Sequence, residues 1–147
     1  MKNLFLSILL FFTIGATKDT LAHCQVPCGI YGDQNRFEQM LEDQSTIEKA
    51  SKLINELSGK KDAHSKNQLS RWVSTKESHA TAIQKTIADY FMAQRIKATD
   101  PKYVEKLTKA HSIMVAAMKC KQSVDAETSA SLKQAILSFH KSYEGKK

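Results

Sequence analysis

Apolar positions after residue 33 recur at steps of three and four, the period of a helix with one buried face. Phe37, Met40, Leu41, Ile47, Ala50, Ile54 and Leu57 make the first stripe, with Gly59 placed to end it and Lys60 to His64 as a polar loop. A second run, about Lys66 to Lys97, carries Leu69, Trp72, Val73, Ala80, Ile83, Ile87, Tyr90 and Phe91. Asp100-Pro101 then reads as an N-cap followed by proline at the first helical position. A third stripe follows in Val104, Leu107, His111, Met114, Val115 and Met118. Asp125 is placed to cap a fourth helix, with Leu132, Ala135, Ile136, Phe139 and Tyr143 on one side and Gly145 closing it. Four amphipathic helices with short connections predict an all-α protein, an antiparallel up-and-down four-helix bundle. Residues 23 to 33 fall outside this pattern and form an irregular N-terminal hook.

The first 22 residues differ in kind. Lys2 precedes an apolar run from Leu4 to Ile14, broken only by Ser7 and Thr13. The run is shorter than the roughly 20 residues of a membrane span. Thr20-Leu21-Ala22 offers small residues at the positions a signal peptidase reads, so 1–22 is expected to be a cleaved export signal or leader and 23–147 the working domain. "LAHC" also has the look of a lipoprotein cleavage box, but His23 stands where a small side chain belongs. The expected location is exported, periplasmic or extracellular, or cytoplasmic if the leader is removed there. No membrane contact is expected once it has gone.

Composition agrees with a helical domain. The chain has 147 residues, 41% hydrophobic and 25% charged, with only five glycines and two prolines, too few for the many tight turns of an all-β fold. The formal charge is +7, and loss of Lys2, Lys18 and Asp19 with the leader brings it to +6. Such a balance can attract nucleic acid, an anionic surface or a small anion, but a solvated lysine surface is enough to account for it. No basic run is interleaved with aromatics, so nucleic acid is not an expected partner. The three cysteines are Cys24, Cys28 and Cys120, an odd number that leaves at least one without an intrachain partner. Cys120 is expected to be a partly buried thiol near a helix end. His64, His79, His111 and His140 show no close pair at ligand spacing, and Trp72 reads as core or subunit contact.

The chemistry concentrates in "HCQVPCGIY", residues 23–31. Cleavage after Ala22 frees the α-amine of His23, which sheds its proton near neutral pH. The amine, the peptide nitrogen of Cys24 and the Cys24 thiolate can then close two fused five-membered chelate rings. Pro27 and Gly29 permit the reversal that returns Cys28 as a fourth donor. Square-planar nitrogen and sulfur suit nickel(II) or copper(II) rather than zinc, and the His23 imidazole is available axially. Two other readings compete: a metal carrier without turnover, and a secreted helical module with a Cys24–Cys28 disulfide.

These residues resemble the nickel hook of nickel-containing superoxide dismutases, His-Cys-x-x-Pro-Cys-Gly-x-Tyr at the mature N-terminus. A looser likeness continues through "RFEQMLEDQSTIEKA" and "NQLSRWVSTKESHATAIQKTIADYFMAQRIK". The resemblance implies a nickel ion cofactor and superoxide as substrate, converted to dioxygen and hydrogen peroxide through a Ni(II)/Ni(III) cycle. It implies metal ligands His23, Cys24 and Cys28, catalytic roles for His23 and Tyr31, and a right-handed four-helix bundle assembled as a homohexamer. Gly29 matches the hook glycine. Gln25 stands where other members carry Asp. Glu38 is the nearest match, one residue short in spacing, to the family glutamate that holds the axial imidazole. The alternative is an exported copper- or nickel-binding helical protein without catalytic turnover.

Overall fold

The structure, a computed structural model, describes residues 32–145. Four α-helices run through them: α1 (Asp33–Leu57), α2 (Ala63–Lys85), α3 (Tyr103–Gln122) and α4 (Ala126–Glu144). A π-helical segment, Thr86–Arg95, continues α2 without a break. Helix α1 packs on α2 and α4, α2 packs on α3, and α3 packs on α4, so the four helices form a bundle around one core. No described helix is long and apolar enough to cross a membrane.

The helix ends follow local chemistry. Asp62 caps α2 by accepting from the Ser65 N–H at 2.9 Å. Gly145 adopts φ 68° and ends α4 in the left-handed conformation that glycine accepts most readily. Ser123 Oγ donates to the Asp125 carboxylate at 2.6 Å, so Asp125 occupies the N-cap position of α4 without a side-chain cap bond. Pro101 is not the first residue of α3. Asp100 accepts from the Lys102 N–H at 2.7 Å, which holds a turn, and the helix starts two residues later at Tyr103.

The first and fourth stripes face the core as expected. Phe37, Met40, Ile47, Ala50 and Ile54 are buried on α1, and Leu132, Ile136 and Phe139 on α4. Helix α3 is turned from its expected face. Ala110, Ile113, Ala116, Ala117 and Cys120 are buried, whereas Val104, His111 and Met118 are exposed. Its apolar residues span a band wider than one face, and Ala110, Ala116 and Ala117 lie on the side that is buried. Val73 on α2 is likewise exposed.

Lys76 is the unusual core-facing residue. Its buried ammonium donates to the carbonyls of Cys120 at 2.5 Å and Lys121 at 2.7 Å, and it pairs with Glu77 at 3.4 Å. The last carbonyls of α3 lack intrahelical partners, and the helix dipole favours a cation there. Cys120 lies buried beside it, near the helix end as expected, and burial raises its thiol pKa.

Candidate functional site

The predicted ligands His23, Cys24 and Cys28, and Tyr31 with them, lie outside the described residues. Tyr31 stands two residues and Cys28 five residues before Asp33 in the sequence. The described residues nearest to them in sequence are Gly32 and Asp33, at the base of the bundle end where α1 begins.

That base is built by three segments far apart in sequence. Asp33, the first residue of α1, accepts at Oδ1 from the Tyr90 hydroxyl at 2.5 Å. Its Oδ2 accepts from Arg95 Nη2 at 2.6 Å and from the Tyr143 hydroxyl at 2.8 Å. Arg95 Nε donates in turn to the Tyr143 oxygen at 3.3 Å. The π-helix explains how Tyr90 and Arg95 both arrive. Hydrogen bonds between residues five apart bring positions i and i+5 onto one face, as in the Ile96 N–H to Phe91 carbonyl bond of 2.8 Å that closes the segment. Beneath the polar cluster lies an aromatic floor. Phe37 and Phe91 have ring centroids 4.8 Å apart, Phe91 meets Phe139 edge-on at 5.1 Å, and Tyr143 joins at 5.4 Å from Phe91. His140 stacks on Phe37 at 4.0 Å and places Nε2 3.0 Å from both Gln34 Oε1 and Glu144 Oε1.

The electrostatics follow from this geometry. Burial raises the Asp33 pKa, but the hydrogen bonds from Arg95, Tyr90 and Tyr143 and the guanidinium charge outweigh it and leave the carboxyl below its ordinary range. Tyr90 is pushed up to about 12, first by burial and then by its bond to the Asp33 carboxylate. Tyr143 moves the same way for the same reasons. The signs define a pH window. A depressed carboxyl stabilises the fold above its unfolded value near 4 and loses that contribution as pH falls through its folded pKa. A raised tyrosine contributes below about 10 and loses it as pH rises through its folded value. Asp33 and Arg95 are partly exposed, so solvent screening keeps both contributions modest. The thermal midpoint gap between the parent protein and Asp33→Asn is thus expected to be flat from about pH 5 to 9 and to shrink below about pH 4. A gap unchanged at pH 2 would show that the carboxylate charge is not what the cluster uses.

Other residues singled out in the sequence take ordinary places. Glu38 is exposed and accepts from Gln34 Nε2 at 2.9 Å. His79 Nδ1 lies 2.7 Å from Asp43 Oδ1 on the α1–α2 contact. Trp72 is half-buried, with Lys49 Nζ 5.8 Å from its ring centroid. Among the described residues, no group of three or more His, Cys, Asp or Glu side chains is arranged to hold a metal ion. The cluster on Asp33 was not visible in the sequence, where Tyr90 and Tyr143 read as core and Asp33 as part of the hook. The α-helical period hides the relation of Tyr90 to Arg95.

With the α-amine of His23 free, residues 23–31 would offer an amine, an amide nitrogen, two thiols and an imidazole, a donor set that fits nickel. No curated protein and no solved structure matches the chain. The model of the family described as nickel-containing superoxide dismutase matches residues 18–147, which takes in the hook sequence, the base at Asp33 and all four helices. A match over nearly the whole chain extends the likeness well beyond a nine-residue motif, and the chain belongs to the nickel-containing superoxide dismutases, oxidoreductases that use nickel to convert superoxide to dioxygen and hydrogen peroxide.

Proposed function

We propose that residues 23–31 are the nickel-binding and catalytic element of this superoxide dismutase, exposed when a leader of residues 1–22 is removed. The observation that carries the reading is the order His23-Cys24-x-x-Pro27-Cys28-Gly29-x-Tyr31 inside the family match. A metal carrier without turnover finds no support in that match. Nickel, when bound, supplies the one-electron couple for the two halves of the dismutation. The chain's part is to hold it and to control approach. His23 would hold nickel through its α-amine and its imidazole, Cys24 through its amide nitrogen and thiolate, and Cys28 through the second thiolate. Tyr31 narrows the open face and orders water there. Glu38 is the candidate partner of the His23 imidazole.

The same proposal covers the arrangement of the chain. The helices run antiparallel, up and down. In support, α1 residues 34, 44 and 55 meet residues 140, 129 and 124 in descending order, through the pairs Gln34–His140, Gln44–Ser129 and Asn55–Val124. Export and assembly into a homohexamer complete it, and sedimentation of the mature chain tests the latter.

Two variants of the mature protein test the roles. His23→Ala retains most of its Ni(II), because amine, amide and two thiolates remain, but loses about a hundredfold in turnover, at the upper end of what a lost metal-tuning group costs. Tyr31→Phe keeps nickel and loses only part of the turnover, since the ring still narrows the approach without its hydroxyl. Nickel analysis and superoxide consumption on the same samples read both. Full turnover in His23→Ala removes the imidazole from the site, and nickel loss in Tyr31→Phe makes that residue structural.

A further inference from the structure

Asp33 does not serve the helix it begins. A carboxylate in the first turn ordinarily caps the free N–H groups of its own helix. Here both oxygens are engaged by side chains from the π-helical segment and from α4, and the N-cap position is Gly32, with no side-chain cap bond. The carboxylate thus joins three elements at one point. Three donors from two directions fix both the position and the rotation of the first turn of α1. The donors are themselves held: Tyr143 packs on Phe91 and Phe139, Arg95 bonds to Tyr143, and Lys106 lies 5.2 Å over the Tyr143 ring. Charge-assisted bonds of 2.5 to 2.8 Å are the short, strong kind.

The irregular backbone points the same way. An uninterrupted α-helix through 86–95 would turn Tyr90 and Arg95 to different faces, and only one could reach Asp33. The π-helical segment brings both to it. The segment costs regular hydrogen bonding, and Gln94 Nε2 bonds the Asp89 carbonyl at 2.8 Å within it.

We propose that Asp33, latched by Tyr90, Arg95 and Tyr143, is a positioning residue that fixes how residues 23–31 leave the bundle and thereby strengthens nickel retention. The proposal rests on the reading of 23–31 as the nickel hook. Metal affinity depends on how far the donors are preorganised, and freedom at the base of a short chelating segment must be lost on binding. The latch removes that freedom in advance, two residues from Tyr31 and five from Cys28.

The test uses the mature chain beginning at His23, as apoprotein, titrated with Ni(II) against a competing chelator, with the thermal midpoint recorded on each sample. Asp33→Asn is expected to weaken Ni(II) affinity about tenfold, the order seen when groups that orient a metal's ligands are removed. Tyr143→Phe, which loses one of the three bonds, is expected to weaken it less and in the same direction. Ile113→Val, a core change at a residue that makes none of the latch hydrogen bonds, lowers the midpoint but leaves affinity unaltered. A merely structural Asp33 would behave like Ile113→Val, with a lower midpoint and parental affinity, and that result overturns the latch. So does Asp33→Asn matching the parent in both measurements. If Asp33→Asn does not fold, Tyr143→Phe decides by the same criterion. Cys24→Ser, run alongside, separates the two ideas: lost nickel there with parental affinity in Asp33→Asn sinks the latch alone, whereas parental affinity in Cys24→Ser sinks the hook reading.

Discussion

Cys24→Ser and Cys28→Ser are each expected to abolish nickel retention and superoxide turnover while leaving the helical circular dichroism unchanged. Serine is nearly the same size as cysteine, so the change is chemical. A hydroxyl stays protonated near neutral pH and is a hard donor, whereas nickel in a planar nitrogen and sulfur site is held by anionic thiolates. Losing one of two such donors removes a bond to the metal and the charge that stabilises its oxidised form. The fold should not respond, because the described core is closed by Phe37, Phe91, Ile113, Ile136, Phe139 and their neighbours without these residues. Metal analysis, superoxide consumption and far-ultraviolet dichroism on one preparation read the result. A serine variant that holds nickel and turns over at the parental rate removes that cysteine from the ligand set.

The contrast between hook and bundle explains what could be read in the sequence. The proposed hook donors all fall within six consecutive residues, 23–28, so their spacing could be read from the chain alone. The four helices were legible because their stripes keep a helical period, and Phe37, Ile83 and Ile136 all end in the core. The face of α3 was not, because both sides of that helix carry apolar residues and packing with α2 and α4 decides between them. Val104 and Met118 lost that choice to Ala110 and Ala117. The start of α3 went to the Asp100 turn instead of Pro101, since a carboxylate that accepts from the Lys102 N–H competes locally with a helical cap. Lys76 and Asp33 were illegible for a common reason. Each takes partners from segments tens of residues away, Lys76 from the end of α3 and Asp33 from the π-helical segment and α4. The relation between Tyr90 and Arg95 also depends on a hydrogen-bonding register that an α-helical period cannot express.

In the proposed hook, the metal is held by the free amine of His23. In the uncleaved chain that nitrogen is an amide bonded to Ala22, and an amide in that position cannot serve as the amine donor. The precursor is therefore expected to bind nickel poorly and to consume no superoxide, even with both thiols and the imidazole present. The same holds for a mature chain with one alanine added ahead of His23, because the free amine then sits one residue outside the chelate. A site built only on sulfur, or on the imidazole, would be indifferent to that residue. The decisive measurement compares nickel content and superoxide dismutation of protein beginning at His23 with protein beginning at the added alanine, matched for folding by circular dichroism. The hook predicts a loaded, active enzyme in the first and nickel-poor, inactive protein in the second. Equal nickel and equal turnover in the two would contradict it.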